Sequence, residues 1–306
     1  MTTNTAGPIL LLGSAGQLGT TLGPVLAKVG KVIAADRAMV DFTNSSRLGE
    51  FVRDSRSSII VNAAAYTAVD KAESERDLAA AVNATAPAAL AEAARDTDAL
   101  LIHYSTDYVF DGSKPSAYVE SDPVNPLNVY GNTKAQGEAA IQKSGCRFLI
   151  FRTSWVYSER GSNFLLTMLR LAKQRDELRI VNDQRGAPTS THSLARATAA
   201  IISEYCGGGW CDGSGIYHMT DSGSTSWFGF AKAILERASK AFGIPLPRLL
   251  PIKSSEYPTP ARRPLNSVLS CEKLTTSFGI SMPNWEDSLN EVLSAYASSS
   301  AKTAAR

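Results

Sequence analysis

The chain has 306 residues, a net charge of +2 and 44% apolar residues, so it can bury a substantial core. Its charges are interspersed without a basic block, which excludes nucleic acid as an expected partner. No run reaches the roughly 18 apolar residues of a membrane span, and residues 1–8 lack a signal-peptide pattern. We therefore expect a soluble, cytoplasmic α/β protein with one large unit and a smaller lobe.

The first predicted element is a strand over residues 9–12, which runs into a turn with three glycines. An apolar-periodic stretch follows, so the pattern indicates strand, turn and helix. Such a turn lets the backbone approach a pyrophosphate, and the helix N-terminus offers free N–H groups. The dinucleotide-binding residues predicted here are Gly13, Gly16, Gln17, Leu18 and Gly19.

The second predicted strand ends in an acidic residue, Asp36. Its carboxylate can accept hydrogen bonds from the adenine ribose hydroxyls, which favours NAD. The next residue, Arg37, could pair with the 2′-phosphate of NADP or simply face solvent. Both NADH and NADPH therefore stay open as cofactors.

Small residues follow the third predicted strand, residues 58–62. Ligands gather beyond the carboxyl ends of strands in open α/β sheets, so this segment should lie beside the glycine turn. Plain alanine packing is the alternative. The cofactor-binding residues predicted here are Ala63, Ala64, Ala65, Tyr66 and Thr67.

An alanine-rich helix over residues 78–94 leads to a fourth strand, residues 99–106, which ends in Ser105 and Thr106. These hydroxyls lie at the edge of the sheet where catalysis would need them. His103 lies among apolar residues within the strand, so we predict a core histidine there and not a metal ligand.

A turn-rich loop then leads to a helix that carries Tyr130 and Lys134. Residues four apart share one helix face, and a nearby ammonium is expected to lower the pKa of a phenol. Such a shift suits catalytic proton transfer. The pair alone would be typical of a solvated helix face, so the catalytic hypothesis depends on the glycine turn and the hydroxyls that precede it.

The alternation of strands and helices through a fifth strand, residues 147–152, predicts a Rossmann-type, doubly wound parallel sheet with right-handed crossovers. From Trp155 the alternation loosens, which indicates an excursion into a smaller α/β lobe. The helix 193–205 and the strand 215–220 indicate a return to the sheet. The predicted division is a cofactor lobe of 7–157 plus 190–222, a substrate lobe of 158–189 plus 223–298, and a frayed tail of 299–306.

With the glycine turn, Ser105-Thr106 and Tyr130-x-x-x-Lys134 together, the chain resembles the extended short-chain dehydrogenase/reductases. Within that superfamily it is most similar to the dTDP-4-dehydrorhamnose reductases, and the similarity covers nearly the whole chain. The segments that carry it are residues 61–73, 103–110, 126–131, 151–157, 182–188 and 257–264.

The resemblance implies an NAD(P)H-dependent reduction of the C4 ketone of dTDP-4-dehydro-β-L-rhamnose to dTDP-β-L-rhamnose, which is used for surface glycans. Tyr130 would protonate the developing alkoxide, and Thr106 would hydrogen-bond the same oxygen. Lys134 would lower the phenol pKa and hold the nicotinamide ribose.

Further residues match family positions near the ligands. Asp107 would lie beside the substrate or cap the strand, and Trp155 would support the sugar or thymine ring or fill the core. Arg263 would pair with the diphosphate or form a surface ion pair. Asp41 and Phe42 would flank the adenine or serve as a turn acid and a core aromatic.

The chain departs from some relatives that bind Mg²⁺ at a dimer interface through acidic side chains. Thr20, Thr21 and His192 stand where those relatives carry glutamates. Because Mg²⁺ prefers carboxylate oxygens, we expect a metal-independent enzyme, either a monomer or a homodimer. The four cysteines form no metal-binding pattern, and we expect them to be reduced; they are Cys146, Cys206, Cys211 and Cys271.

Two alternatives stay open at this stage. One is a nucleotide-sugar epimerase or dehydratase of the same superfamily, which would cycle the hydride internally and consume no NAD(P)H. The other is a non-catalytic regulatory subunit that resembles the β subunit of methionine adenosyltransferase.

Overall fold

A six-stranded parallel sheet forms the centre of the protein. The structure, a computed structural model, describes residues 7–208 and 213–304, with side chains described as far as Ser299. Within these residues the strands are β1 (Ile9–Leu12), β2 (Val32–Ala35), β3 (Ile59–Asn62), β4 (Leu100–Thr106), β5 (Arg147–Thr153), β6 (Val156–Tyr157), β7 (Glu177–Val181), β8 (Arg185–Gly186), β9 (Thr189–Ser190), β10 (Gly215–His218), β11 (Thr225–Ser226) and β12 (Arg248–Ile252).

The order of strands in the sheet is β10-β5-β4-β3-β1-β2, with parallel pairing throughout. The chain starts at β1, moves outward to β2 and then returns to the other side of β1 for β3. This reversal is the point at which open α/β sheets bind their ligands. The expected doubly wound parallel sheet is confirmed, and so is the return of residues 215–218 to it.

Helices cover both faces of the sheet and build the smaller lobe. They are α1 (Gly19–Leu26), α2 (Ser45–Ser55), α3 (Val69–Ala72), α4 (Arg76–Ala80), α5 (Ala86–Asp96), α6 (Val129–Lys143), α7 (Phe164–Ala172), α8 (Thr191–Cys206), α9 (Trp227–Phe242), α10 (Glu272–Phe278) and α11 (Trp285–Ala304). Short 3₁₀ turns lie at Asp107–Val109 and Ser254–Glu256.

Three large apolar clusters hold these layers together. One lies on each face of the central sheet, and β1 contributes Leu11 to one and Leu10 to the other. The third joins α7, α9 and α11 to β7, which pairs in parallel with β12. This third cluster lies in the part of the chain expected to form the smaller lobe.

The helix predicted over residues 78–94 is divided by a π-helical turn, Ala81–Thr85. Pro87 is the cause, since it has no N–H to donate to the carbonyl of Asn83 four residues earlier. Gly137 of α6 packs against that carbonyl, and a Cβ at Gly137 would lie 2.2 Å from the Asn83 oxygen. The lack of a side chain at Gly137 therefore lets α6 pack directly against the π-helical turn.

The C-terminal helix is longer than the sequence indicated. It continues to Ala304, whereas a frayed tail was expected from Ser299 onward. Residues 305–306 and Cys211 lie outside the described residues, and the described cysteines are all free thiols.

Candidate active site

The glycine turn packs directly onto the segment that follows β3. Gly13 has φ +75°, and a Cβ there would lie 2.7 Å from the backbone nitrogen of Ala64. A Cβ at Gly19 would lie 2.1 Å from the carbonyl oxygen of Gly13. Only glycine permits both approaches, so the turn and the Ala63–Thr67 segment meet at the switch point, as expected. Helix α1 begins at the end of this turn, at Gly19.

The other turn residues each make a contact that holds the turn in place. The Gln17 amide donates to the carbonyl of Val156 at 3.1 Å and accepts from the Asn163 amide at 2.8 Å. Leu18 packs against the core on this face of the sheet. The Gly16 N–H donates to the Gly13 carbonyl at 2.9 Å.

The segment after β3 is held by Asn83, which is buried and was not predicted as a site residue. Its side-chain oxygen accepts from the Tyr66 N–H at 2.9 Å, and its amide donates to the Tyr66 carbonyl at 3.0 Å. The Tyr66 hydroxyl donates to Glu75 at 2.5 Å. No local pattern reveals Asn83, because its role depends on the π-helical turn.

The residues predicted to bind adenosine lie beyond β2. Asp36 follows the strand directly and accepts the N–H of Ala38 at 2.9 Å, and Arg37 is exposed. Asp41 accepts from the N–H of Thr43 at 2.8 Å, which lowers the pKa of that carboxyl. The remaining residue of this group, Phe42, is buried in the core.

Tyr130 and Thr106 come together at the carboxyl end of β4. Tyr130 of α6 lies close enough to Thr106 for the threonine hydroxyl to act on the pKa of the phenol. The Thr106 hydroxyl also donates to Asp107 at 3.1 Å and accepts from the Tyr108 N–H at 3.1 Å. Tyr130 and Thr106 therefore present two hydroxyl groups at one point, where a carbonyl oxygen can be bound.

The predicted effect of Lys134 on the phenol is wrong for this structure. The pKa of Tyr130 is raised to about 12, chiefly by burial, although the Thr106 side chain opposes the shift. The Lys134 ammonium group does not bond to the phenol. It donates to the Tyr104 carbonyl at 2.6 Å and lies 3.0 Å from Nε2 of His103. Helical spacing placed the two residues on one face, but the burial of the phenol dominates its pKa.

Asp107 is buried behind the two hydroxyl groups. It accepts from the Thr106 hydroxyl at 3.1 Å and from the Ser154 hydroxyl at 2.9 Å. Burial nevertheless raises the pKa of Asp107 to about 6. The carboxylate therefore lies beside Thr106 at an energetic cost to the fold.

This cost predicts that Asp107→Asn stabilises the protein at alkaline pH. Because the folded pKa of about 6 lies above the unfolded value of 3.8, the destabilisation by ionised Asp107 sets in as the pH rises past 3.8 and is complete above about pH 6. We expect the variant to gain up to about 3 kcal/mol in the free energy of unfolding near pH 8, and about half of that near pH 5. Urea unfolding at both pH values measures the gain, and the exposed Asp54→Asn should show none. An equal gain at both pH values would contradict this origin.

Two predicted substrate residues are engaged within the protein. Trp155 has φ +46° and stacks on Trp227 with ring centroids 3.6 Å apart. Gly186 packs against the Trp155 indole so closely that a Cβ would lie 2.5 Å from it. Arg263 forms a bidentate ion pair with Asp70, with nitrogen–oxygen distances of 3.1 and 2.8 Å. In this structure Arg263 therefore makes an ion pair, the alternative to diphosphate binding.

Another residue that the sequence analysis missed is Asn128, which caps α6 just before Tyr130. Its side-chain oxygen accepts from the Gly131 N–H at 2.8 Å, and its amide donates to the Arg262 carbonyl at 2.7 Å. An Asn directly before a helix is a recognised cap signal, so the sequence contained the information. This cap ties the Tyr130 helix to the segment that carries Arg263.

Among the described residues, no group of three or more His, Cys, Asp or Glu side chains is arranged to hold a metal ion. His192 lies 3.0 Å from Glu159 and 3.8 Å from Glu291, and Arg196 also pairs with Glu291. The described helices include none that is both long and apolar enough for a membrane span.

The fold and the site define an oxidoreductase of the dinucleotide-binding α/β class, with a tyrosine, a lysine and a threonine at its centre. The family described as the RmlD substrate binding domain matches residues 7–298. The chain belongs to this family, whose relatives include dTDP-4-dehydrorhamnose reductases.

Three relatives show the extent of the similarity. The dTDP-4-dehydrorhamnose reductase of Burkholderia thailandensis is 48% identical over 90% of this chain and 95% of its own. That of Escherichia coli K12 is 48% identical over 93% and 96%. A crystal structure of the Bacillus anthracis reductase in complex with NADP has a TM-score of 0.85 at 36% identity, and covers 94% of this chain and 98% of that one.

Proposed function

We propose that this protein reduces the C4 ketone of dTDP-4-dehydro-β-L-rhamnose with NAD(P)H and so completes the biosynthesis of dTDP-β-L-rhamnose. The observation that carries the proposal is the closeness of the Tyr130 and Thr106 hydroxyl groups at the carboxyl end of β4, in the sheet that also carries the glycine turn. Relatives that are 48% identical over nearly their whole length are named for this reaction.

The two hydroxyl groups serve the reduction in different ways. Bound NAD(P)H supplies the hydride that reaches the carbonyl carbon. Tyr130 keeps its proton at neutral pH because its pKa is about 12, and it can give that proton to the more basic alkoxide oxygen. The Thr106 hydroxyl would turn its O–H from Asp107 to the same oxygen, and such a donor is worth about 2.7 to 4 kcal/mol in oxyanion sites.

The glycine turn and the α1 N-terminus fit the pyrophosphate of a dinucleotide. The turn has no side chain where Gly13 and Gly19 approach their neighbours, and small residues follow β3. Lys134 would hold the nicotinamide ribose. In adenosine recognition, Asp36 would bind the ribose hydroxyls, and Arg37 would accept a 2′-phosphate. Asp41 and Phe42 would flank the adenine.

The substrate would bind between the cofactor lobe, residues 7–157 plus 190–222, and the smaller lobe. The separate apolar cluster of α7, α9 and α11 supports this division. Asp107 would lie beside the sugar, and Trp155 would support a ring. Arg263 would have to leave Asp70 or share it in order to bind a diphosphate. Monomeric or homodimeric assembly and a cytoplasmic location remain predictions from the sequence.

The relatives favour the reductase over the two alternatives. An epimerase or dehydratase would return the hydride to the sugar, and a regulatory subunit would turn over no substrate. A coupled assay separates the three: the upstream epimerase supplies the 4-keto sugar, and NADPH absorbance is followed. We expect stoichiometric NADPH loss and a product identified as dTDP-rhamnose by NMR. Product formation without NADPH loss, or no turnover, would refute the proposal.

We also propose that catalysis needs no metal ion. Thr20, Thr21 and His192 offer no carboxylate where some relatives carry glutamates. We expect the same turnover rate after treatment with EDTA as before it. Activity that EDTA abolishes and Mg²⁺ restores would show that this part of the proposal is wrong.

A further inference from the structure

His103 lies in the middle of β4, is fully buried and contacts Lys134 directly. Its Nε2 atom is 3.0 Å from Nζ of Lys134, and its Nδ1 atom is 3.0 Å from the side-chain nitrogen of Asn62. Both ring nitrogens therefore face nitrogen atoms. The proposed reaction assigns no role to this histidine, and the sequence predicted only a core residue.

His103 has fewer lone pairs than it has neighbours that donate. A neutral imidazole has one N–H donor and one acceptor nitrogen, whereas an imidazolium has only donors. Burial, together with the nearby Lys134, holds the pKa of His103 well below its usual value, so the ring is neutral. It therefore has one lone pair for two neighbours that both normally donate.

Each neighbour of His103 is itself held in place. The side-chain oxygen of Asn62 accepts from the N–H of Ala64 at 3.1 Å, which directs the Asn62 amide group toward His103. Nζ of Lys134 donates to the Tyr104 carbonyl at 2.6 Å. If Asn62 donates to Nδ1, then Nε2 carries the proton, and its hydrogen bond to Lys134 requires an unprotonated amine. An ammonium group at Lys134 must compete with Asn62 for the one lone pair.

We propose that His103 is a positioning residue of this enzyme, which holds Nζ of Lys134 beside the Tyr104 carbonyl and offers it one lone pair that Asn62 also competes for. The inference rests on the proposed function, since it assigns the positioned lysine to the nicotinamide ribose. His103 acts through Lys134 and touches neither the substrate nor the reacting atoms.

The other charged groups near Lys134 do not remove this effect. Burial lowers the pKa of Lys134 to about 8, and Glu138 on the next turn of α6 opposes the shift. Glu138 is itself paired with Arg152 of β5 at 2.6 Å, and both side chains are buried. Tyr130, on the preceding turn, stays a neutral phenol because its pKa is raised. Lys134 has no carboxylate of its own in this group.

Two substitutions at His103 should move the titration of Lys134 in opposite directions. In His103→Gln, an amide oxygen with two lone pairs can accept from both Asn62 and Lys134, which stabilises the ammonium. In His103→Leu, neither neighbour has an acceptor there, and the buried ammonium becomes more costly. A residue with a merely structural role would lower activity in both variants without opposite pH shifts.

The experiment measures NADPH affinity and kcat/KM from pH 6 to pH 10 in the purified full-length protein. We expect both to fall above about pH 8 in the native protein, where Lys134 loses its proton. The midpoint should rise by about one pH unit, a tenfold change in proton affinity, in His103→Gln and should fall in His103→Leu. Midpoints unchanged in both variants, or moved in the same direction, would overturn the inference.

The control is His218→Gln, which alters another fully buried histidine on the neighbouring part of the sheet. We expect it to leave the midpoint unchanged, and an equal shift in this variant would also overturn the inference. The measurement of NADPH affinity distinguishes a failure of this inference from a failure of the proposed function. A protein that binds NADPH with the expected shifts but consumes none with substrate would refute the reductase and retain the role of His103.

Discussion

Tyr130→Phe is expected to lose nearly all reductase activity while it still binds NADPH. The substitution removes the hydroxyl near Thr106 and keeps the ring, which packs against Tyr108 with centroids 6.0 Å apart. General acid catalysis by a positioned side chain contributes about 10²- to 10⁴-fold, so kcat should fall by that factor. Steady-state kinetics and fluorescence titration with NADPH measure the two effects separately.

The comparison variant is Tyr217→Phe, which removes a phenol hydroxyl from the core on β10. It should keep both turnover and NADPH affinity. If Tyr130→Phe turned over nearly as fast as the native protein, Tyr130 would not be the proton donor. If it lost NADPH affinity as well, its role would be in binding and not in proton transfer.

Gly13→Ala is the second substitution for which we expect a large effect. An alanine at φ +75° costs about 1–2 kcal/mol in backbone strain. The added methyl group would also lie 2.7 Å from the Ala64 backbone nitrogen, and overpacking of this kind costs about 1–3 kcal/mol more. We expect a loss of about 2–5 kcal/mol in the free energy of unfolding, and NADPH affinity at least about tenfold weaker because the turn must move.

Gly145→Ala provides a matched control for the backbone strain. Gly145 has nearly the same conformation, φ +76°, but a Cβ there would meet nothing within 4 Å. In this variant the free energy of unfolding should fall only by the cost of the backbone strain, and the NADPH affinity should not change. Urea unfolding of both variants isolates the contribution of the close approach between the turn and Ala64. Equal losses would mean that the close approach is unimportant.

The central sheet and its glycine turn could be predicted from the sequence alone. Short apolar runs alternated with helical periodicity, which predicted the parallel sheet that the strand order confirms. The glycine spacing predicted the turn, because φ above zero at Gly13 and the approach at Gly19 exclude a side chain. These properties are local, so a single sequence can reveal them.

The surroundings of the predicted catalytic residues were harder to foresee. Helical spacing placed Tyr130 and Lys134 on one face but could not give their distances to β4. The structure directs Lys134 to the Tyr104 carbonyl and to His103, and it raises the pKa of Tyr130 through burial. A pKa depends on desolvation by all nearby atoms, which a spacing rule does not contain.

What the sequence determined by itself was the alternation of elements, the glycine turn and the types of residue that follow β3 and β4, since each depends on neighbours in the chain. Only the tertiary structure decided which partners those residues have. Asn83 reaches Tyr66 because Pro87 opens a π-helical turn, and Arg263 meets Asp70 from 193 residues away. Contacts between distant segments follow from how the layers pack, and no local pattern encodes them.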